Sequence, residues 1–163
     1  MDLVNIYLFT GDQTLLVSNK IDRIIKESKA DQYNISIYDE EESNITEAIR
    51  DASTPPFMGL TKIVIIKNPK SLSNEKQLTP VEEEAFRNYL VRPLDSTILI
   101  INAVGIKLDE KKDLVKILRK TAEAYDIKSL SEIELIGWAK RQCSLYNVGI
   151  KDDAIKTFCR LVG

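Results

Sequence analysis

The sequence predicts an α/β fold in which a five-stranded parallel sheet is sandwiched by helices. Strand-like and helix-like segments alternate along the chain, which is typical of parallel sheets joined by helical crossovers. Two of the strand-like segments, residues 62–67 and 97–101, have continuous apolar, β-branched centres, as strands buried on both faces do. The first strand also runs through a glycine directly into a helix, as it does in P-loop proteins.

The first half of the chain supplies two strand–helix pairs. A strand over residues 5–9 leads through Gly11 into a helix over about residues 14–28, and a strand over residues 33–38 precedes a helix that starts after Ser43. Asn44 and Glu47 resemble a capping box at the start of that second helix. The apolar positions at helical spacing are Leu15, Leu16, Ile21, Ile24 and Ile25 in the first helix and Ile45, Ala48, Ile49 and Ala52 in the second.

The second half continues the alternation and then changes character. After the strand over residues 62–67, a helix begins at about Thr79, where Thr79 and Pro80 provide an N-cap and a first-turn proline, and it ends before Pro93. A strand over 97–101, a basic helix over about 109–121 and a strand over 124–127 follow. The last two helices, about 131–146 and 151–162, have no strand after them, which predicts a domain boundary near Ser129.

Composition excludes several classes of function. The 163 residues are 44% hydrophobic and carry a net charge of -2, so an ordinary core can form and no bulk attraction to DNA follows. There is no histidine, which removes the usual general base and zinc ligand, and Cys143 and Cys159 lack metal or redox spacing. No apolar run reaches the ~18 residues that span a bilayer and the N-terminus is not a signal peptide, so we expect a cytoplasmic protein without a membrane partner.

The turn after the first strand has the scaffold of a phosphate-binding loop without its chemistry. A working P-loop reads G-x-x-x-x-G-K-[ST], with backbone amides around the phosphates and a lysine on the terminal one. Here the loop begins Gly11-Asp12. Counted from Gly11, the second glycine of the pattern is replaced by Leu16 and the lysine by Val17, and only Ser18 fits. We therefore expect this degenerate loop to bind no nucleotide.

The ends of the later strands lack catalytic groups as well. The strand over 62–67 ends in Lys67 and Asn68, where an ATPase needs carboxylates for Mg²⁺, and a phospho-receiver site is excluded because Asp12 stands alone. Asn102, after the next strand, fits either a phosphate sensor or the cap of a turn. The sequence predicts no catalytic residue, no metal site and no cofactor.

Two other segments are candidates for binding. Lys112, Lys116, Arg119 and Lys120 fall on one face of a predicted helix, and this face either contacts DNA or is simply solvated. The loop before residues 62–67 carries Pro56, Phe57, Met58 and Leu60 on a backbone stiffened by two prolines. These apolar side chains either fill a pocket on a partner or fold back over the edge of the sheet.

A series of short segments is familiar in its order and spacing. The chain opens with Ile6-Tyr7-Leu8-Phe9-Thr10-Gly11-Asp12, and Thr54-Pro55-Pro56-Phe57-Met58-Gly59 precedes the apolar strand that leads to Asn68. Tyr89-Leu90, Pro93, residues 96–101 and Trp138-Ala139-Lys140-Arg141-Gln142 follow. Together they resemble the N-terminal portion of the delta subunit family of bacterial DNA polymerase III. The members of this family are clamp-loader components of the AAA+ superfamily. The Pro-Phe-x-Gly loop is the most specific part, and the resemblance covers essentially the whole chain.

The resemblance implies a domain plan and a role. Residues 1–129 would form an AAA+-like α/β domain with a degenerate P-loop, residues 130–163 the truncated start of a helical lid domain, and the C-terminal collar domain of the family would be absent. The subunit would bind the sliding clamp, beta, and open the ring for loading onto DNA, without hydrolysing ATP itself. Its partners would be the clamp, the loader subunits delta prime and gamma/tau and, through the loader, DNA. The holoenzyme to which such a subunit belongs is a DNA-directed DNA polymerase, a nucleotidyltransferase.

The resemblance also points to residues. Matched by position, the clamp-binding pair would be Pro56 and Phe57, flanked by Met58 and Leu60, although the family pair is often Leu-Phe and Pro56 departs from it. Two alternatives remain. One is an ATPase or phosphotransferase with an atypical P-loop, which would bind ATP with Mg²⁺. The other is an accessory DNA-binding module that uses the Lys112 face, whose affinity would fall steeply with salt.

Overall fold

The computed structural model describes residues 3–129, 131–146, 148–149, 151 and 153–157, and the chain forms two compact units, Met1–Lys128 and Ser129–Gly163. The first unit contains a five-stranded, all-parallel sheet in the order β2-β3-β4-β1-β5. Its strands are β1 (Ile6–Gly11), β2 (Ile35–Asp39), β3 (Lys62–Lys67), β4 (Thr97–Asn102) and β5 (Glu123–Ile127). The predicted α/β fold class is confirmed.

Helices cover both faces of this sheet. They are α1 (Thr14–Ser28), α2 (Ile45–Ala52), α3 (Pro80–Val91) and α4 (Asp113–Thr121). Residues of α1 pack on one face with the alternate strand residues Tyr7 and Phe9. Residues of α2, α3 and α4 pack on the other face with Ile6 and Leu8. Because successive strand side chains point to opposite faces, the continuous apolar strands fill two separate cores, as their sequence predicts.

Several element boundaries differ from the sequence prediction. Strand β1 continues to Gly11, and β2 starts at Ile35 because Gln32–Asn34 forms a 3₁₀ turn capped by the Asp31 side chain. Helix α4 starts only at Asp113, since the backbone N–H of Lys112 donates to the Asp109 carbonyl in a preceding turn. These segments are polar or mixed, so the hydrophobic period does not distinguish turn from helix or strand.

Two predictions about helices are wrong in detail. Leu15 and Leu16 are 73% and 53% exposed, whereas Ile21 and Ile24 are buried as their spacing predicts and Val17 joins them on the buried face of α1. Asn44 caps α2 by accepting a hydrogen bond from the Thr46 N–H, without the predicted reciprocal partner. The buried face of α1 therefore runs through Val17, Ile21 and Ile24, and the two leucines lie outside it.

The second unit begins with α5 (Glu132–Leu145), and residues 153–157 are also helical. A capping box between Ser131 and Glu134 starts α5, and Ala139 packs against Ile155. The rest of the predicted helix over 151–162, and Cys159, lie outside the described residues. Within the part of the chain that is described, no helix has the length and apolar character to cross a membrane.

Candidate binding loop and the carboxyl edge of the sheet

The turn that follows β1 is hydrogen-bonded to the neighbouring strand. The backbone N–H groups of Asp12 and Gln13 both donate to the Ile127 carbonyl, at 3.0 and 3.3 Å. In a P-loop the backbone amides at this edge of the sheet point toward phosphate oxygens instead. The turn is therefore short and closed, and these two donors are already used by β5.

Gly11 is required by this close approach. Its φ is 115°, and a Cβ placed on it would lie 1.9 Å from the Ile127 carbonyl oxygen. The Gly11 carbonyl accepts a further hydrogen bond from the Gly105 N–H at 2.9 Å. The first glycine of the P-loop pattern therefore has a structural role here, because the absence of a Cβ lets the end of β1 approach Ile127 of β5 closely.

The positions of the missing P-loop residues have become part of a helix. Val17, at the position of the phosphate-binding lysine, is fully buried in the core under α1. Leu16 is exposed, and Ser18 is partly buried one position later. A lysine at position 17 would have to bury its ammonium group among apolar side chains, so the core itself excludes the missing chemistry.

The carboxyl ends of β3 and β4 hold polar side chains that bond to the protein itself. Asn68 Nδ2 donates to both carboxylate oxygens of Asp39 at 3.0 Å, and this contact is the main reason that the pKa of Asp39 lies below its ordinary value. Asn102 Oδ1 accepts from the Val104 N–H at 3.3 Å, which favours the turn cap over the phosphate sensor. No group of three or more acidic or cysteine side chains suited to a metal ion occurs among the residues described.

The predicted basic face is altered by the position of Lys112. This residue precedes α4, and its Nζ donates to the carbonyls of Ser71 and Lys76 at 2.8 and 2.9 Å, so the prediction that it shares a helical face is wrong. Lys116 pairs with Asp113 and Arg119 pairs with Glu110. Lys120 is exposed. Contact of this region with DNA stays a prediction, with its positive charge partly neutralised by these acids.

The segment between α2 and β3, residues 53–61, is the most exposed apolar part of the first unit. We call it the apolar loop. Phe57, Met58 and Leu60 are 70%, 89% and 93% exposed, and Pro56 is half-buried. The alternative that Phe57 and Met58 fold back over the sheet is therefore wrong. Since β3 follows this loop, it lies at the amino edge of the sheet, opposite the edge where β1 ends.

The backbone of the apolar loop is held by one side chain. Asn34 is 1% exposed; its Oδ1 accepts from the Phe57 N–H at 2.6 Å and its Nδ2 donates to the Phe57 carbonyl at 2.8 Å. Both backbone groups of Phe57 are satisfied while the Phe57 side chain projects away from the core. Tyr33, which precedes Asn34 in the chain, is also exposed, at 78%.

The ends of the apolar loop are tied together by a charged network. Lys62 Nζ donates to Asp51 Oδ1 and to Thr54 Oγ1, each at 2.8 Å, and Tyr38 donates to the other Asp51 oxygen at 3.1 Å. Burial raises the pKa of the Asp51 carboxyl, but hydrogen bonds from Lys62 and Ser36 outweigh burial and leave that pKa below its ordinary value. The Lys62 side chain is only 9% exposed, so this pair braces α2 against the start of β3.

One residue of the loop has an uncommon backbone conformation. Met58 has a φ of 47°, in the left-handed region that costs a non-glycine residue roughly 1–2 kcal/mol. Such residues concentrate at binding and catalytic sites, where the surrounding structure holds them in place. The sequence does not reveal Met58 as strained, nor Asn34 and Lys62 as anchors, because these roles depend on contacts between segments far apart in the chain.

Comparison with known proteins places this architecture in one family. The family model for the DNA polymerase III delta subunit matches residues 7–128. The DNA polymerase III subunit delta of Bacillus subtilis is 35% identical over 134 residues, which are 79% of this chain and 39% of that protein. The chain therefore spans well under half of the length of this curated relative.

Two solved structures resemble the fold. The Bacillus subtilis DNA clamp loader delta protein aligns with a TM-score of 0.72 and 31% identity, over 95% of this chain and 47% of that one. A gamma subunit-related protein of DNA polymerase III from Thermotoga maritima aligns with a TM-score of 0.52 and 17% identity, over 88% and 49% of the two chains, and supports the fold alone. On the family match and the 35% identity, the chain belongs to the delta subunit family of DNA polymerase III, the clamp-loader subunit.

Proposed function

We propose that this chain binds the beta sliding clamp through the apolar loop and opens the ring for loading onto DNA. The contact residues are Phe57, Met58 and Leu60, with Pro56 at the base of the surface. Its further partners are delta prime and gamma/tau in the loader, and DNA through the loader. The α/β domain over residues 1–129 carries this contact, and residues 130–163 begin the lid domain. ATP hydrolysis takes place elsewhere in the complex.

The exposure of Phe57 on a fixed backbone carries this proposal. An aromatic side chain that is 70% exposed while its own N–H and C=O are bonded to buried Asn34 is presented to a partner and loses little conformational freedom on binding. Burial of one such side chain contributes ~1.5–3 kcal/mol. Association itself costs about 4–15 kcal/mol, so Met58 and Leu60 must contribute to the same contact.

Opening of the ring requires more than tight binding. A ligand shifts a conformational equilibrium only by the difference between its affinities for the two states. A second contact, from α2 or the residues around Pro55, would favour the distorted clamp surface near the interface of its protomers. Ring opening then follows from preferential binding of the open state, without a chemical step in this chain.

The carboxyl edge of the sheet supports a role without nucleotide. The Asp12 and Gln13 amides bond to Ile127, Val17 fills the lysine position in the core, and Lys67 occupies an acid position. An ATPase or phosphotransferase would need free amides in this turn, a lysine in place of Val17 and a carboxylate in place of Lys67. A calorimetric titration with ATP and Mg²⁺ should show no binding, and micromolar affinity would overturn this part of the proposal.

Substitution of Phe57 tests the clamp contact. The Phe57→Ala variant should lose measurable affinity for the beta clamp in calorimetry, with an unchanged melting temperature, because the side chain is mostly solvated in the free chain. Val81→Ala is the matched control, since Val81 is 77% exposed on α3 and belongs to no part of the loop. Clamp affinity equal to that of the unsubstituted chain in Phe57→Ala would exclude the apolar loop as the contact.

A further inference from the structure

We infer that Asn34 is a positioning residue for the clamp contact: its side-chain amide, packed against Gly59, holds the apolar loop in the conformation that presents Phe57. This inference rests on the proposed function, because the clamp is the partner to which Phe57 is presented. Asn34 itself is buried and contacts no partner. Its effect on affinity is exerted through the loop backbone.

The chemistry of the contact selects an asparagine. The Phe57 backbone needs one acceptor for its N–H and one donor for its C=O, and a side-chain amide supplies both from adjacent atoms. An aspartate in the same place would lack the donor and would bury a negative charge beside a carbonyl oxygen. An alanine would leave both Phe57 groups without this partner.

Asn34 is itself fixed by local structure. It ends the 3₁₀ turn Gln32–Asn34, in which Asp31 Oδ1 accepts from the Tyr33 N–H at 3.0 Å. The Asn34 N–H donates to the Asp31 carbonyl at 2.8 Å. The strand β2 that follows is paired with β3, so the turn is part of the rigid amino edge of the sheet. The loop is therefore anchored to the sheet and not only to its own flanking residues.

Gly59 completes the arrangement by leaving room for the amide. A Cβ on Gly59 would lie 2.9 Å from Asn34 Nδ2, closer than side chains approach one another. Gly59 is not among the residues with a positive φ, so an alanine there meets no backbone strain of its own. The nearest side-chain atom to such a Cβ is Nδ2 of the Asn34 amide. Replacement of Gly59 by alanine thus perturbs the Asn34 contact while every polar group is retained.

The consequence for binding is preorganisation. Fixing the backbone of one residue carries an entropic cost that corresponds to roughly a tenfold change in an equilibrium constant. When Asn34 holds Phe57 before the encounter, that cost has been met in the folded protein. Loss of the contact should therefore weaken clamp binding by about tenfold. The apolar loop would become less ordered, and the two cores would change little.

A double-mutant cycle on the whole chain tests this inference. Clamp affinity is measured by calorimetry for the unsubstituted chain, Asn34→Ala, Gly59→Ala and the double variant. Each single substitution should weaken binding by about tenfold, and the double variant should bind no more weakly than Asn34→Ala, because the alanine at position 59 then has no amide to displace. Such non-additivity is expected only for residues that act through one contact.

Amide hydrogen exchange separates positioning from general destabilisation. In both single variants the Phe57 N–H should exchange faster, while the amide of Ile65 in the centre of β3 should keep its protection. Equal loss of protection at both amides would mean that the fold, and not the loop, is affected, and would overturn the inference.

The outcomes for the inference and for the proposed function differ. If Phe57→Ala abolishes binding while Asn34→Ala and Gly59→Ala bind normally, the clamp contact stands and the positioning role is wrong. Additive losses in the double variant would also contradict it. A chain that does not bind the clamp before any substitution overturns the proposed function and this inference with it.

Discussion

The backbone N–H of Asp12 donates a 3.0 Å hydrogen bond to the carbonyl of Ile127. This bond joins the turn after β1 to the last strand of the sheet, at the edge where related folds hold phosphate groups. A second bond to the same carbonyl comes from Gln13. This edge of the sheet is thus occupied by the domain's own backbone, and the exposed apolar loop lies at the opposite edge.

Restoration of the P-loop lysine should not restore nucleotide binding. Val17→Lys places an ammonium group in a fully buried position, and we expect a loss of several kcal/mol in the free energy of unfolding and no ATP binding. Leu16→Lys is the control, because Leu16 is 53% exposed and a lysine there remains solvated. Urea unfolding and ATP titration measure both effects. A stable Val17→Lys variant that binds ATP would refute the closed-turn interpretation.

Gly11 should tolerate no side chain. Gly11→Ala would combine a φ of 115° with a Cβ only 1.9 Å from the Ile127 oxygen, so a loss of more than about 2 kcal/mol in unfolding free energy is expected. Gly149→Ala serves as the control, since a Cβ there meets no atom within 4 Å. Chemical denaturation compares the two. Equal stability of both variants would show that the turn after β1 adapts freely.

Met58 should separate stability from clamp affinity. Met58→Asn keeps the left-handed conformation, which asparagine tolerates better than methionine, so the unfolding free energy should stay the same or rise by up to about 1 kcal/mol. The same change removes an apolar side chain that is 89% exposed, and clamp affinity should fall. Thermal unfolding and calorimetry give the two quantities. Unchanged affinity would remove Met58 from the proposed contact.

Protonation of Glu82, at the start of α3, should lower the free energy of unfolding in acid. Hydrogen bonds from Asn44 and from Thr79 lower the pKa of this carboxyl from 4.5 to about 2. A carboxyl whose pKa is lowered in the folded state stabilises the protein above its unfolded pKa, and this contribution is lost as the pH falls from 4.5 toward about 2. Titration followed by NMR should give the low pKa directly. In Glu82→Gln, the acid dependence of stability in this window should become shallower.

Lys112 should be a stabilising residue and Lys120 should not. Lys112→Met removes the donor to the Ser71 and Lys76 carbonyls, so a loss of about 1–3 kcal/mol in unfolding free energy is expected. Lys120→Met changes an exposed side chain and should leave stability within about 0.5 kcal/mol. The comparison is made by urea unfolding. Equal effects would contradict the role of Lys112 in joining the turn before α4 to the Ser71 and Lys76 carbonyls.

The sequence alone predicted the fold class and the order of the elements because the apolar runs of β3 and β4 and the N-cap at Thr79 are local signals. The same local signals identified the failure of the P-loop, since each required residue type can be read from its position. They also identified Phe57 as a candidate contact, although its exposure remained open.

Tertiary structure decided what those residues do. Phe57 is exposed, and both of its backbone groups are bonded by Asn34, from a turn 23 residues earlier. Gly11 is indispensable because Ile127, at the end of the last strand, approaches it. Spacing along a chain records which residue types are present, whereas a hydrogen bond or a close approach between distant segments exists only after the sheet has brought their strands together.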